Sequence, residues 1–132
     1  MKHLQLTFLL MIFFVGVSSA QDKPAYELYK NNGKKAKYDK MIQDLAKNDM
    51  VFVGEYHTNP ISHWLQLEMS KSFYEIMGEK LFFGAEMFEN GNQLVIDEYL
   101  KGFYKEDKML AEITQLWGNY NLVYSSVMEF AT

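Results

Sequence analysis

The sequence predicts an α/β domain in which helices flank a parallel β-sheet. Two short apolar runs, at residues 50–53 and 81–85, have the length and composition of buried strands. The helical pattern between them has about the length of one crossover, and a strand–helix–strand unit normally forms a right-handed parallel pair. Because such sheets are covered on both faces and usually contain more strands, we expect an incomplete, N-terminal portion of a larger three-layer domain.

Turn and cap residues predict the other elements in chain order. Asn59 is a suitable N-cap, Pro60 fits the first position of the helix after it, and Gly78 is a suitable stop. The remaining predictions are a short edge strand at 26–29, a turn at 31–33, and helices over about 38–47, 93–101, 106–116 and from Tyr124 onwards.

The first 20 residues have the pattern of a secretory signal peptide. Lys2 precedes an apolar run over residues 4–17, and small residues at positions 18–20 precede Gln21. The run is shorter than the roughly 20 residues that a membrane-spanning helix needs. We therefore divide the chain into a signal peptide at residues 1–20 and a domain at residues 21–132, which we expect to be exported to the periplasm or the cell envelope.

The composition excludes several kinds of site and partner. The chain has no Cys, which excludes disulfides, thiolate metal sites and a lipid anchor on Cys. Its formal net charge is −4, whereas binding to nucleic acid needs a basic surface, so we expect no nucleic-acid partner. All 13 basic residues are Lys, which leaves no guanidinium to clamp a carboxylate or a phosphate.

Ionisable side chains follow both apolar runs. Glu55 and His57 come after the first run, and Glu86 comes directly after the second. Ligands bind beyond the carboxyl ends of parallel strands, and Gly54 would allow a ligand to approach the backbone closely. The three side chains suit a site for Zn²⁺, Mn²⁺ or Fe²⁺, or acid–base chemistry.

Each of these residues also has a purely structural interpretation. Glu55 could cap the following helix, His57 could bond a backbone carbonyl, and Glu86 could be a solvated strand end. His63 is either a second imidazole ligand or a partly exposed helix residue. The nine Tyr and ten Phe suit a core, and they equally suit a flat apolar ligand such as a porphyrin.

Several blocks of the sequence resemble the ChaN-like haem-binding uptake proteins, which share a superfamily with the Tiki metalloproteases and the erythromycin esterases. The blocks are VFVGEYHTNPISHW at 51–64, GAEMFE at 84–89 together with Gln93, and WGNY at 117–120. The resemblance extends from about Tyr26 to the last residue. A second Gly-x-x-His motif and an Arg-containing block, both expected of this group, are missing.

The resemblance implies an exported protein that binds haem and takes part in haem or iron acquisition. The Gly-x-x-His motif falls on Gly54 and His57 with Glu55 inside it, and the acidic position of the superfamily falls on Glu86. We accordingly predict haem contacts from Gly54, Glu55, His57, His63 and Glu86. Uptake implies membrane-associated machinery as a partner, and a homodimer is compatible with it.

The wider superfamily implies an alternative function, that of a metal-dependent hydrolase. In that case Glu55, His57 and Glu86 would hold a divalent Zn, Mn or Fe ion and carry the catalysis, with a Glu as base and metal-bound water as nucleophile. We favour the binding protein over the enzyme.

Overall fold

The computed structural model describes residues 24–132, and helices form most of this part of the chain. The signal peptide predicted at residues 1–20 lies outside the described residues. The elements in chain order are β1 (Leu28–Tyr29), β2 (Lys35–Ala36), α1 (Tyr38–Leu45), α2 (Pro60–Met77), α3 (Gln93–Leu100), α4 (Glu106–Glu112), α5 (Tyr120–Val123) and α6 (Ser125–Phe130), with 3-10 turns at Gly78–Lys80 and Asn90–Asn92.

The first element is a small antiparallel hairpin. β1 pairs with β2 so that Leu28 lies opposite Ala36. Its turn contains Gly33 with φ of 76°, a conformation that Gly adopts without the steric cost that a side chain would bring. The turn predicted at residues 31–33 is confirmed, and the predicted edge strand is one arm of this hairpin.

The predicted parallel sheet is wrong. Residues 50–53 and 81–85 form no strand, and β1 with β2 is the only sheet within residues 24–132. Phe52 is 89% exposed and Phe82 is 88% exposed, so neither apolar run is covered as a central strand would be. A strand forms where neighbouring strands and packed faces stabilise it, and an apolar composition supplies neither by itself.

The longest helix, α2, begins and ends where its sequence predicts. The side chain of Asn59 accepts hydrogen bonds from the backbone N–H groups of Ile61 at 2.9 Å and Ser62 at 3.2 Å, with Pro60 at the first helical position. Gly78 ends the helix with φ of 56°. None of the helices within residues 24–132 is long and apolar enough to cross a membrane.

The core lies among the C-terminal helices. It is formed by Met87, Ile96, Tyr99, Met109, Ile113, Tyr120, Tyr124 and Met128. The buried side chain of Asn92 joins α3 to the segment after α4, because its amide donates to the Thr114 carbonyl at 3.0 Å and its oxygen accepts from the Thr114 N–H at 3.2 Å. α4 ends at Glu112, earlier than predicted, where Ile113 turns extended and enters the core.

α2 connects this core to the N-terminal part of the chain. It packs against α1, α5 and α6. The segment between α1 and α2, which carries Glu55 and His57, therefore lies beside the helices that follow residue 117.

Candidate functional site

Glu55 and His57 contact each other in the segment before α2. Nδ1 of His57 lies 2.8 Å from a carboxylate oxygen of Glu55. Since Glu55 is ionised, its carboxylate only accepts hydrogen bonds, so Nδ1 carries the proton and donates it. The Glu55 side chain is 10% exposed and that of His57 is 60% exposed. The nearly buried carboxylate is thus a hydrogen-bond acceptor for an imidazole that is exposed to solvent.

Two further side chains donate hydrogen bonds to the Glu55 carboxylate. The hydroxyl of Tyr124 donates to the same oxygen as His57, and the side-chain amide of Gln66 donates to the other oxygen. Nδ1 of the buried His63 lies 3.3 Å from that second oxygen. Both oxygens of a nearly buried carboxylate are therefore surrounded by donors, as a buried charge requires.

These contacts keep Glu55 ionised. Burial raises the pKa of Glu55, but the hydrogen bonds from Tyr124, His57 and Gln66 outweigh that effect and leave the pKa below its ordinary value. Burial, followed by the hydrogen bond to Glu55, raises the pKa of Tyr124 well above its ordinary value. At neutral pH the pair is therefore a carboxylate and a neutral hydroxyl donor.

His63 lies on α2 with both ring nitrogens in contact with oxygen atoms. Nε2 lies 3.1 Å from the carbonyl oxygen of His57, and Nδ1 lies 3.0 Å from the side-chain oxygen of Gln66. Because the Gln66 amide nitrogen donates to Glu55, its oxygen must face His63. The His57 carbonyl can only accept a hydrogen bond, so Nε2 of His63 donates to it. His63 thus supports the main chain of His57 from inside the protein.

Residues far along the chain complete the surroundings of His57. The Asn119 side-chain amide donates to the His57 carbonyl at 3.1 Å. The Trp117 ring packs edge to face against the His57 ring, with centroids 5.1 Å apart, and Tyr124 packs in the same way against Trp117 at 5.7 Å. The sequence analysis assigned no role to Gln66, Asn119 or Tyr124. Only Gln66 carries a local signal, since it lies one helical turn after His63.

The other two predicted site residues lie at the edge of this arrangement. Glu86 is exposed in a turn and forms no hydrogen bond with Glu55 or His57 within the described part of the chain, although its charge contributes to the raised pKa of Tyr124. Gly54 is exposed, and a Cβ added there would meet no atom within 4 Å. Within residues 24–132, no group of three or more His, Asp and Glu residues is placed to hold a metal ion.

A comparison with known families identifies the family of this chain. The sequence model of a family described as "Haem-binding uptake, Tiki superfamily, ChaN" matches residues 41–132, a span that contains every residue of the network around Glu55. The chain belongs to this ChaN family. The resemblance drawn from the sequence blocks is therefore confirmed. No curated protein and no solved structure matches this ChaN-family chain.

Proposed function

We propose that this chain binds haem and that Nε2 of His57 is the ligand to the iron. The observation that carries the proposal is the contact between Nδ1 of His57 and Glu55. A neutral imidazole with its proton on Nδ1 has its lone pair on Nε2, and carboxylates commonly orient metal-binding His residues in this way. Within residues 24–132, Nε2 of His57 has no hydrogen-bond partner, so it is free for a ligand.

The chemistry around His57 fits haem. His57 would hold the haem iron through a ring nitrogen, and the exposed aromatic side chains nearby would contact the flat apolar ring that haem supplies. Phe52 and Tyr56 are exposed aromatic side chains within five residues of His57, and Trp117 packs against its ring. Apolar rings left in water favour a flat apolar partner that covers them.

We also propose that the chain is exported and takes part in haem or iron acquisition with membrane-associated machinery. The signal pattern at residues 1–20 and the uptake proteins of the family support this. Because His57 is exposed, haem bound to it would be accessible for transfer to the membrane-associated machinery. Cell fractionation with N-terminal sequencing tests export: we expect a periplasmic or envelope protein that begins at Gln21, and a cytoplasmic protein that retains Met1 would contradict it.

Haem titration into the purified chain, followed at the Soret band, tests the proposed function. We expect saturable binding that weakens by more than about tenfold in His57→Gly, because the iron loses its ligand. Added imidazole should restore the spectrum of the His57→Gly complex by occupying the vacated position. An unchanged affinity in His57→Gly would contradict the assignment. Absence of a Soret shift together with Zn²⁺, Mn²⁺ or Fe²⁺ retained after dialysis would favour the metal-dependent hydrolase.

A further inference from the structure

We infer that Tyr124 and Gln66 are positioning residues for the haem ligand. They hold Glu55 in the orientation in which it accepts the Nδ1 proton of His57 and leaves Nε2 to the iron. The inference rests on the proposed haem binding through His57, and it adds a function for two residues that make no contact with His57's free nitrogen.

The Glu55 carboxylate is held by contacts on both of its oxygens. One oxygen accepts from Tyr124 and from His57, and the other accepts from Gln66 and faces His63. Rotating the carboxylate breaks several of these contacts together. Because the Glu55 side chain is only 10% exposed, water is poorly placed to replace the lost donors. The carboxylate oxygen beside His57 is therefore held in place by Tyr124, which donates to it, and by Gln66, which donates to the other oxygen.

Tyr124 is itself held firmly by the packing around it. Its side chain belongs to the buried core with Met109 and Met128, and the residue is 4% exposed. Its ring also packs edge to face against His63, with centroids 5.0 Å apart. The hydroxyl that reaches Glu55, 69 residues away in sequence, is consequently presented by a fixed part of the fold. The C-terminal helices thereby determine which nitrogen of His57 faces the ligand.

Without Glu55, His57 would be free to change its tautomer. Its ring is more than half exposed, so without a firm partner on Nδ1 the proton can occupy either nitrogen. Tyr124→Phe removes the hydroxyl and keeps the ring in the core. Tyr120→Phe is a matched control, because Tyr120 is also buried in the same core and its hydroxyl donates to Glu106 at 3.0 Å.

Nitrogen NMR of the imidazole rings in the haem-free chain tests the inference. The spectra are recorded at a pH at which the His57 signals no longer move, so that the ring is neutral, and His57→Gln assigns them. We expect the Nδ1–H tautomer of His57 in the unmodified chain and in Tyr120→Phe. We expect a mixture with the Nε2–H tautomer in Tyr124→Phe and in Gln66→Met. Haem affinity should fall about tenfold in Tyr124→Phe, at the lower end of the range for residues that orient a metal ligand.

The outcomes separate this inference from the proposed function. Tautomer populations in Tyr124→Phe and Gln66→Met that equal those of Tyr120→Phe would overturn the inference, even with haem binding intact. A tautomer change in these variants would support positioning, even if no form of the chain bound haem and the proposed function failed. If Tyr124→Phe does not fold, Gln66→Met decides between the two results.

Discussion

Replacement of Glu55 by Ala should destabilise the fold more than any surface substitution. The change removes a nearly buried carboxylate and leaves the Tyr124 hydroxyl and the Gln66 amide without their acceptor. Leaving buried hydrogen-bond donors without an acceptor typically destabilises a protein by about 1–3 kcal/mol. We expect a loss in that range rather than the sum of single hydrogen bonds, because the contacts share one carboxylate.

Urea unfolding followed by far-UV circular dichroism measures this loss. The midpoint should fall in Glu55→Ala with little change in the denaturant slope, since the surface exposed on unfolding is similar. Glu86→Ala is the matched control, because Glu86 is an exposed carboxylate close to the same site, and it should stay within about 0.5 kcal/mol of the unmodified chain. A Glu55→Ala effect as small as that of Glu86→Ala would refute the network as described.

Three further predictions follow from single side chains. The lowered pKa of Glu55 stabilises the fold above the ordinary Glu pKa of about 4.3, and this contribution is lost as pH falls through the folded pKa. Stability measured by melting at pH values from about 6 to 3 should therefore fall less steeply in Glu55→Gln, and parallel curves would contradict this. Asn59→Ala should lower the free energy of unfolding by about 1 kcal/mol, because two N–H groups at the start of α2 lose their acceptor, whereas Asn59→Asp should retain it. Met109→Ala should lower the free energy of unfolding by about 2–5 kcal/mol in calorimetry, since Met109 is fully buried, and a loss below about 1 kcal/mol would show that the core differs.

Local signals predicted the helices well. Asn59 and Pro60 start α2, and Gly78 ends it, because capping depends on atoms within a few residues of each other. Gly33 likewise marks the hairpin turn. Features of this kind are encoded within a short stretch of sequence and need no tertiary partner.

The sheet could not be predicted in the same way. The runs at residues 50–53 and 81–85 are apolar, but strand formation depends on a partner strand elsewhere and on cover for both faces. In the described residues, the exposed rings of Phe52 and Phe82 show that this cover is missing. Apolar composition alone therefore led to the wrong fold class.

In the candidate site, too, contacts between neighbours in sequence could be predicted, whereas contacts between distant residues could not. Glu55 and His57 lie two residues apart, so their proximity could be expected from sequence. Tyr124 reaches Glu55 across 69 residues and Asn119 reaches His57 across 62 residues. Nothing in the local sequence of either residue indicates such a contact, because it arises from the packing of α2 against the C-terminal helices.

The most direct measurement of the central claim is a resonance Raman spectrum of the ferrous haem complex. We predict an iron–imidazole stretching band that moves when His is labelled with nitrogen-15 and shifts to lower frequency in Glu55→Gln, because a neutral amide withdraws the Nδ1 proton less than a carboxylate does. A complex without this band, or a band at the same frequency in Glu55→Gln, would contradict a haem ligand at His57 that is supported by Glu55.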